Sequence, residues 1–389
     1  MVLQHLPQST ALPDADPTRL TVGVEEEFLL LDPTSGVNIA AAEQVIAALP
    51  DEVRGQSRLE LRRSMLEMVT GVCTDLTELA TQLARHRRMA AAAAATAGAR
   101  LVAIGATPVD DPHRTTVPDG PRYHEMVRRY GPVASDPAVC GCHVHVGVPD
   151  RDLAVQVSNR LRPWLPVIQA LTANSPLHLG DDTGYASWRC AQLQRWPGVG
   201  PTPHFDSAEE YDTTVAALIG SGAMIDDSMV YWYARPSANY PTVEIRVGDV
   251  CATVDDTVLV AALIRALVAT LIDDIHAGTP TPRARDCLID AAHWHAAHEG
   301  LDGTLIDPRD GTARPAWNLV ADLLTTVSPA LTRHGDTAYV VTHLARLREH
   351  GTGAARQRHV HHRTGDLQAV LTDLAEQTAA SHAATTLGP

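Results

Sequence analysis

Three short segments carry acidic, imidazole and guanidinium groups two residues apart. "GVEEEF" holds Glu25 and Glu27, "CGCHVHV" holds His143 and His145, and "TVEIRV" holds Glu244 and Arg246. In an extended strand, residues two apart point to the same face. Glu25 and Glu27 then share a face with Gly23, while Val24, Glu26, Phe28 and Leu30 take the other. His143 and His145 share a face with Gly141, and Cys140, Cys142, Val144 and Val146 turn the opposite way. Glu244 and Arg246 oppose Val243, Ile245 and Val247. Taken singly, each pair has a plain alternative: solvated edge charges, a structural histidine, a cross-strand salt bridge. Taken together, three strands with one apolar and one polar face point to a single sheet with an active face, since charges buried on a sheet are costly unless paired or ligating metal.

Two more carboxylates, Glu60 and Glu67, lie seven residues apart in "RLELRRSMLEMVT". If that segment is helical, seven residues are two turns and both share a side. Several carboxylates with one imidazole suit a hard cation such as Mg²⁺ or Mn²⁺. The two cysteines and two histidines of "CGCHVHV" invite a zinc reading, but strand parity separates them. Tyr185, Ser187 and Arg189 in "DTGYASWR" alternate on a candidate extended segment and offer donors for a carboxylate substrate, with loop packing as the alternative. Arg356 and Arg358 in "GTGAARQR" offer a phosphate contact or a plain basic loop. "HWHAAH" (293–298) and "HVHH" (359–362) lack supporting carboxylates or cysteines, and read as structural or solvated.

The elements that must position these groups follow from local patterns. Residues 19–32 read as a strand ended by a turn cluster, and "NIAAAEQVIAAL" as a short helix. From Asp75 to about residue 97 the pattern is helical, with a capping signature at Asp75 and Glu78 and Gly98 beyond its end. Residues 99–106, "VCGCHVHVGV" and "PTVEIRVGDV" read as strands. A helix follows Asp150, with Pro163 breaking it, and a long apolar helix spans Asp255 to Ile275. Residues 174–210, rich in Gly, Pro, Asp and Trp, are too long for a plain connector and are expected to carry function or cover a site. Strands and helices do not alternate regularly. The expected fold class is therefore α+β with a mainly antiparallel sheet. Residues 1–19 are expected to form a disordered leader, 20–380 a single domain, and 381–389 a flexible tail.

Composition prunes the chemistry. The chain has 389 residues, 45% hydrophobic and 20% charged, with a net charge of −15, a balance that disfavours a nucleic-acid partner. No apolar run reaches membrane-span length, and the N-terminus has no basic start followed by an apolar core. Six cysteines without a signal peptide are expected to be reduced thiols in the cytoplasm. All 31 basic residues are arginine. Without lysine, neither a Walker-type loop nor a Schiff base is available, so any phosphate must be handled by arginine, metal and backbone amides.

The motifs "GVEEEFLLLDP", "CGCHVHVGV", "SPLHLGDDTGYASWR", "TVEIRVGDV" and "GTGAARQR", in that order, resemble the carboxylate–amine ligases of the glutamate–cysteine ligase type 2 group over roughly residues 20 to 380. The resemblance implies a glutamine-synthetase-like fold, a curved, mainly antiparallel sheet walled by helices and forming a funnel for ATP and metal. It implies metal ligands at Glu25, Glu27, Glu60, Glu67, His143 and Glu244, nucleotide near His145, and phosphate-contacting arginines at Arg246 and Arg235. Arg356 and Arg358 join the nucleotide candidates, and Tyr185, Ser187 and Arg189 the substrate candidates. The implied activity is ATP- and Mg²⁺- or Mn²⁺-dependent amide formation through an acyl phosphate, with small amino-acid substrates; a homodimer is compatible with it. Thr107, Tyr233 and His298 depart from the group's usual residues, which bears on substrate identity more than on reaction class. A metal-dependent amide hydrolase and a non-catalytic metabolite-binding relative are the competing readings.

Overall fold

The first strand sets the frame. β1 (Val22–Leu31) is flanked on one side by β3 (Met65–Val69), which pairs with β2 (Ser57–Leu59), and on the other by β4 (Arg100–Val102) and β5 (Gly141–Gly147). A small separate hairpin follows, β6 (Leu177–His178) with β7 (Asp181–Asp182). β8 (Ala234–Pro236) and β9 (Thr242–Asp249) complete the main sheet in the order β2-β3-β1-β5-β9-β8, with β4 on β1. Every pairing is antiparallel. This computed structural model describes residues 19–109, 116–281 and 284–380; residues 1–18 of the leader expected over 1–19, and the tail expected over 381–389, lie outside them.

Strand parity divides the sheet as the sequence pattern requires. Val22, Val24, Cys142, Val144, Val146, Val243, Ile245 and Val247 are buried in one cluster behind it. Several helices cover that face, two of them long. The helix Leu76–Thr96 starts where Asp75 accepts a hydrogen bond from the Glu78 N–H, and the chain turns at Gly98 with φ +74°. The helix Val254–His276 is capped by Thr253 and buried along most of its length, as expected for a segment apolar on all sides. All six cysteines are free, and five of them are buried. The described residues contain no helix long and apolar enough to cross a membrane.

Three local expectations are corrected. The Glu60–Glu67 segment is not a helix but the β2–β3 hairpin: Glu60 follows β2, and Glu67 sits within β3 opposite Glu27. The segment around 185–189 does not stay extended, because a helix begins at Trp188 and runs to Leu193. "GTGAARQR" is not a loop; Thr352 caps a helix, Gly353–Thr364, that contains both arginines.

Candidate active site

Register brings the polar groups together. Glu25 lies opposite His143 and Glu27 opposite Glu67. His145 lies opposite Glu244, and Glu244 opposite Arg235 on the far side. A register shift between Cys142 and Val144 adjusts the β5–β9 pairing beside His143, the local kink by which a strand re-aims a side chain. The Gly141 N–H donates to Glu27. The cysteines face away: Cys140 and Cys142 are buried in the cores behind the sheet, and burial pushes the Cys140 thiol well up.

The groups interact closely. His143 Nδ1 is 3.1 Å from the Glu25 carboxylate, and His145 Nε2 is 3.3 Å from it. His145 Nδ1 meets the Thr242 hydroxyl at 2.9 Å. Arg235 Nε donates to Glu244 Oε2 at 2.9 Å, and Arg246 donates to Glu244 Oε1.

Charge divides the carboxylates into two kinds. Burial pushes Glu25 up, but hydrogen bonds from His143 and His145 outweigh it and hold the carboxyl well below its usual range. Burial likewise opposes ionisation of Glu244, and the charges of Arg246 and Arg235 overcome it. For Glu60 and Glu67 the charge of Arg246 opposes the rise but does not overcome it. Burial, then the charge of Glu27, pushes Glu60 up to about 8, and burial with the charge of Glu60 pushes Glu67 well up. Burial and the nearby Arg246 charge push His143 down, favouring the neutral imidazole.

This donor set fits a hard divalent cation. Two groups of three donors have their atoms within 4.8 Å of one another: Glu25, His143 and Glu244, and Glu27, Glu67 and His143. Oxygen donors predominate, a neutral imidazole serves both groups, and two carboxylates are held among like charges that a cation would offset.

Two cavities open on this face. An acidic one of about 380 Å³ is lined by Glu25, Glu27, Glu67, His145, Glu244 and Arg235, among others. A second, of about 140 Å³, shares Glu27, Glu60, Leu61, His143, Tyr231 and Arg246 with it and extends under the 189–199 stretch. Part of the long 174–210 segment, residues 189–199, thus walls the second cavity.

Other candidates lie elsewhere. Tyr185 lines neither cavity and packs against Trp188, Trp294 and His298. Ser187 is buried and donates to Asp249 at 2.8 Å. Arg356 pairs with Asp256 and Arg358 with Asp182, and neither lines the two cavities. Arg189 is the member of its group that reaches a cavity wall. Of the departures, Thr107 is buried and bonded to Ala138 and Asn38, His298 stacks on Trp294, and Tyr233 lines the second cavity. Sequence reasoning missed Gln192, Trp196 and Tyr231. The Trp- and Gly-rich composition of 174–210 was the signal for the first two.

Comparison with known proteins agrees with this architecture. The family model for glutamate–cysteine ligase family 2 (GCS2) matches residues 21–373. A Salinispora tropica protein provisionally named glutamate–cysteine ligase 2 is 64% identical over 371 residues, covering 95% of this chain and 97% of that protein. Among solved structures, the glutamate–cysteine ligase of Francisella tularensis in complex with AMP superposes with a TM-score of 0.70 at 12% identity, covering 95% of this chain and 90% of that one. A bifunctional glutathione synthetase from Pasteurella multocida gives 0.70 at 16% identity, covering 93% of this chain and 52% of that one, so this chain spans about half its length. The two structural likenesses establish the fold.

The family and relative matches place the protein in the class of carboxylate–amine ligases. Within that class, the chain belongs to glutamate–cysteine ligase family 2.

Proposed function

We propose that this protein uses ATP, with Mg²⁺ or Mn²⁺, to join a carboxylate to an amine, the first pair to test being the glutamate γ-carboxylate and the amine of cysteine. The observation that carries this reading is the placement of Arg235 and Arg246 on either side of Glu244, beside the two three-donor groups. Glu25, Glu27, Glu67, His143 and Glu244 would hold the cation, with Glu60 and His145 beside them. When bound, the cation offsets phosphate charge and orients the phosphates. Arg235 and Arg246, fixed by Glu244, present guanidinium groups to the transferring phosphoryl group, which is an electrostatic task.

A substrate carboxylate oxygen attacks the γ-phosphorus and ADP leaves. The amine nitrogen then attacks the acyl carbon, inorganic phosphate leaves with the former carboxylate oxygen, and the nitrogen gives up a proton. Glu60 borders both cavities, so its carboxylate is placed to take that proton. We place this chemistry in one domain over 20–380, in the cytoplasm, where the free thiols would stay reduced; a homodimer is checked by light scattering.

A metal-dependent amide hydrolase would use the carboxylates and His143 but has no need of two arginines for phosphate. A non-catalytic binder has no need of two donor groups sharing one imidazole. The test is ADP release by the purified protein with Mg²⁺, with and without glutamate and cysteine, and product identification by mass. ADP release that depends on both amino acids supports the ligase; amide cleavage without ATP overturns it.

A further inference from the structure

The second cavity differs in chemistry from the acidic one. Part of its lining is apolar and aromatic, made by Val133, Leu193, Trp196, Val199, Tyr231 and Tyr233. At about 140 Å³ it offers roughly ten times the room a single water needs. A thiol-sized side chain would leave much of such a wall in contact with nothing but water.

Among the described residues of this wall, Arg189 has no carboxylate closer than 3.9 Å. Arg246 is tied to Glu244, and Arg195 to Asp136 at 2.6 Å. Arg189 is 5% exposed, yet its Nη atoms reach only main-chain carbonyls of Val247 and Arg246, at 3.3 and 3.4 Å, and its Nε has no hydrogen-bond partner. The carboxylate that faces it, Asp249, stands 3.9 Å away and already accepts from the Asn174 N–H, Ser175 and Ser187. Burying a guanidinium without a tight partner is costly, so an anion from the ligand has something to gain there. One helical turn on, Gln192 is also buried, lines the same cavity, and has an Oε1 without a hydrogen bond; residues three apart share a helix side.

The inner end of the cavity fixes where such an anion sits. On the active face, Gly141 leaves room that a side chain would fill: a Cβ there would come 2.5 Å from Arg189 Nη2 and 3.1 Å from His143 Nε2. Arg189 thus lies beside the imidazole shared by both donor groups. Glu27, Glu60 and Arg246 also belong to both cavities.

We infer that the second cavity is the amine-substrate site, and that its occupant is an α-amino acid with a large apolar side chain. Arg189 takes the α-carboxylate, Gln192 accepts an N–H from the α-amine, and the side chain lies against Trp196, Val199 and Tyr231. The amine then faces the shared wall, where the acyl group is presented. This rests on the ligase reading and narrows its amine substrate away from cysteine.

The test compares phenylalanine, cysteine and phenethylamine, the last lacking the carboxylate. Binding to the Mg²⁺-loaded protein is measured by calorimetry, and ADP release with ATP and glutamate is measured separately. Phenylalanine is expected to bind about tenfold or more tightly than cysteine, in the range an apolar pocket discriminates. Arg189→Met is expected to weaken phenylalanine about tenfold or more while phenethylamine changes less than about threefold. Tighter binding of cysteine, equal weakening of both amines, or a raised KM for glutamate in place of phenylalanine each overturns the assignment. Should Arg189→Met fail to fold by thermal melting, Trp196→Ala, at a half-buried position, decides: it must weaken phenylalanine more than alanine. Absence of ADP release with every pair sinks the ligase reading, whereas calorimetry still decides the site.

Discussion

Arg87 holds Glu26 from behind the sheet, on the face opposite the site. Its Nε donates to Glu26 Oε2 at 2.9 Å and its Nη2 donates to Oε1, while the Thr257 hydroxyl adds a bond of 2.7 Å. The same guanidinium reaches the carbonyls of Ala252 and Cys251. One buried ion pair therefore joins β1, the Leu76–Thr96 helix and the start of the Val254–His276 helix. It fixes the strand whose other face presents Glu25 and Glu27.

Removing one partner leaves the other charge buried and unpaired, which typically costs about 3–5 kcal/mol. Arg87→Met is expected to lower unfolding free energy by about that amount. Adding Glu26→Leu should recover most of the loss. Urea denaturation of the two variants checks this; a double variant no more stable than Arg87→Met contradicts it.

Glu67 stands among like charges, so its removal should separate stability from activity. Glu67→Gln is expected to raise the melting temperature in metal-free buffer, because it removes a carboxyl whose ionisation is opposed by burial and by the charges of Glu60, Glu25 and Glu27. ADP release should fall on the order of 10²–10³-fold, the usual cost of losing one electrostatic stabiliser. Melting curves and activity on the same preparation test both halves. Full activity in a folded Glu67→Gln protein removes Glu67 from the cation site.

The strand pattern made much of this legible. Period-two alternation assigns Glu25, His143, His145, Glu244 and Arg246 to one face because each strand has a mostly apolar partner face, interrupted in β1 by Glu26. It failed where periodicity is ambiguous. "LRRSMLEMV" fits a helix or a hairpin, and only pairing with β1 decides for the strand. Glu26 was assigned to an apolar face, since nothing local announces a partner 61 residues away. Arg356 and Arg358 looked available for phosphate in a glycine-bearing segment. Their partners, Asp256 and Asp182, come from distant parts of the chain. Gln192 and Trp196 sit in a segment whose composition marked it as functional without showing which side chains face inward.

Glu60 makes stability depend on pH and on the cation. Its folded-state value, about 8, lies above the ordinary 4.5. The folded protein then binds more protons than the unfolded chain between these values. Stability from this group is present below about pH 4.5 and is lost as pH rises through about 8. Glu67, shifted in the same direction, adds to the loss. A cation competes with these protons and offsets the charge they leave. The rise in melting temperature on adding Mg²⁺ is therefore expected to be larger at pH 8 than at pH 6. Scanning calorimetry at both values checks it, and an equal rise at the two pH values contradicts the assignment.

The arginines allow a contrast between residues of one type. Arg246 lines both cavities and is tied to Glu244, whereas Arg358 is paired with Asp182 outside them. Arg246→Met is expected to lower kcat on the order of 10²-fold or more, since the guanidinium acts on charge that develops during phosphoryl transfer. Its loss also frees Glu244 from one of two cations. Arg358→Met breaks a partly exposed ion pair, worth at most about 1 kcal/mol, and should leave kcat and the KM for ATP within about twofold. Steady-state kinetics with ATP varied at saturating amino acids separates the two. A KM for ATP raised tenfold in Arg358→Met would return that residue to the nucleotide site and require the Gly353–Thr364 helix to approach the acidic cavity.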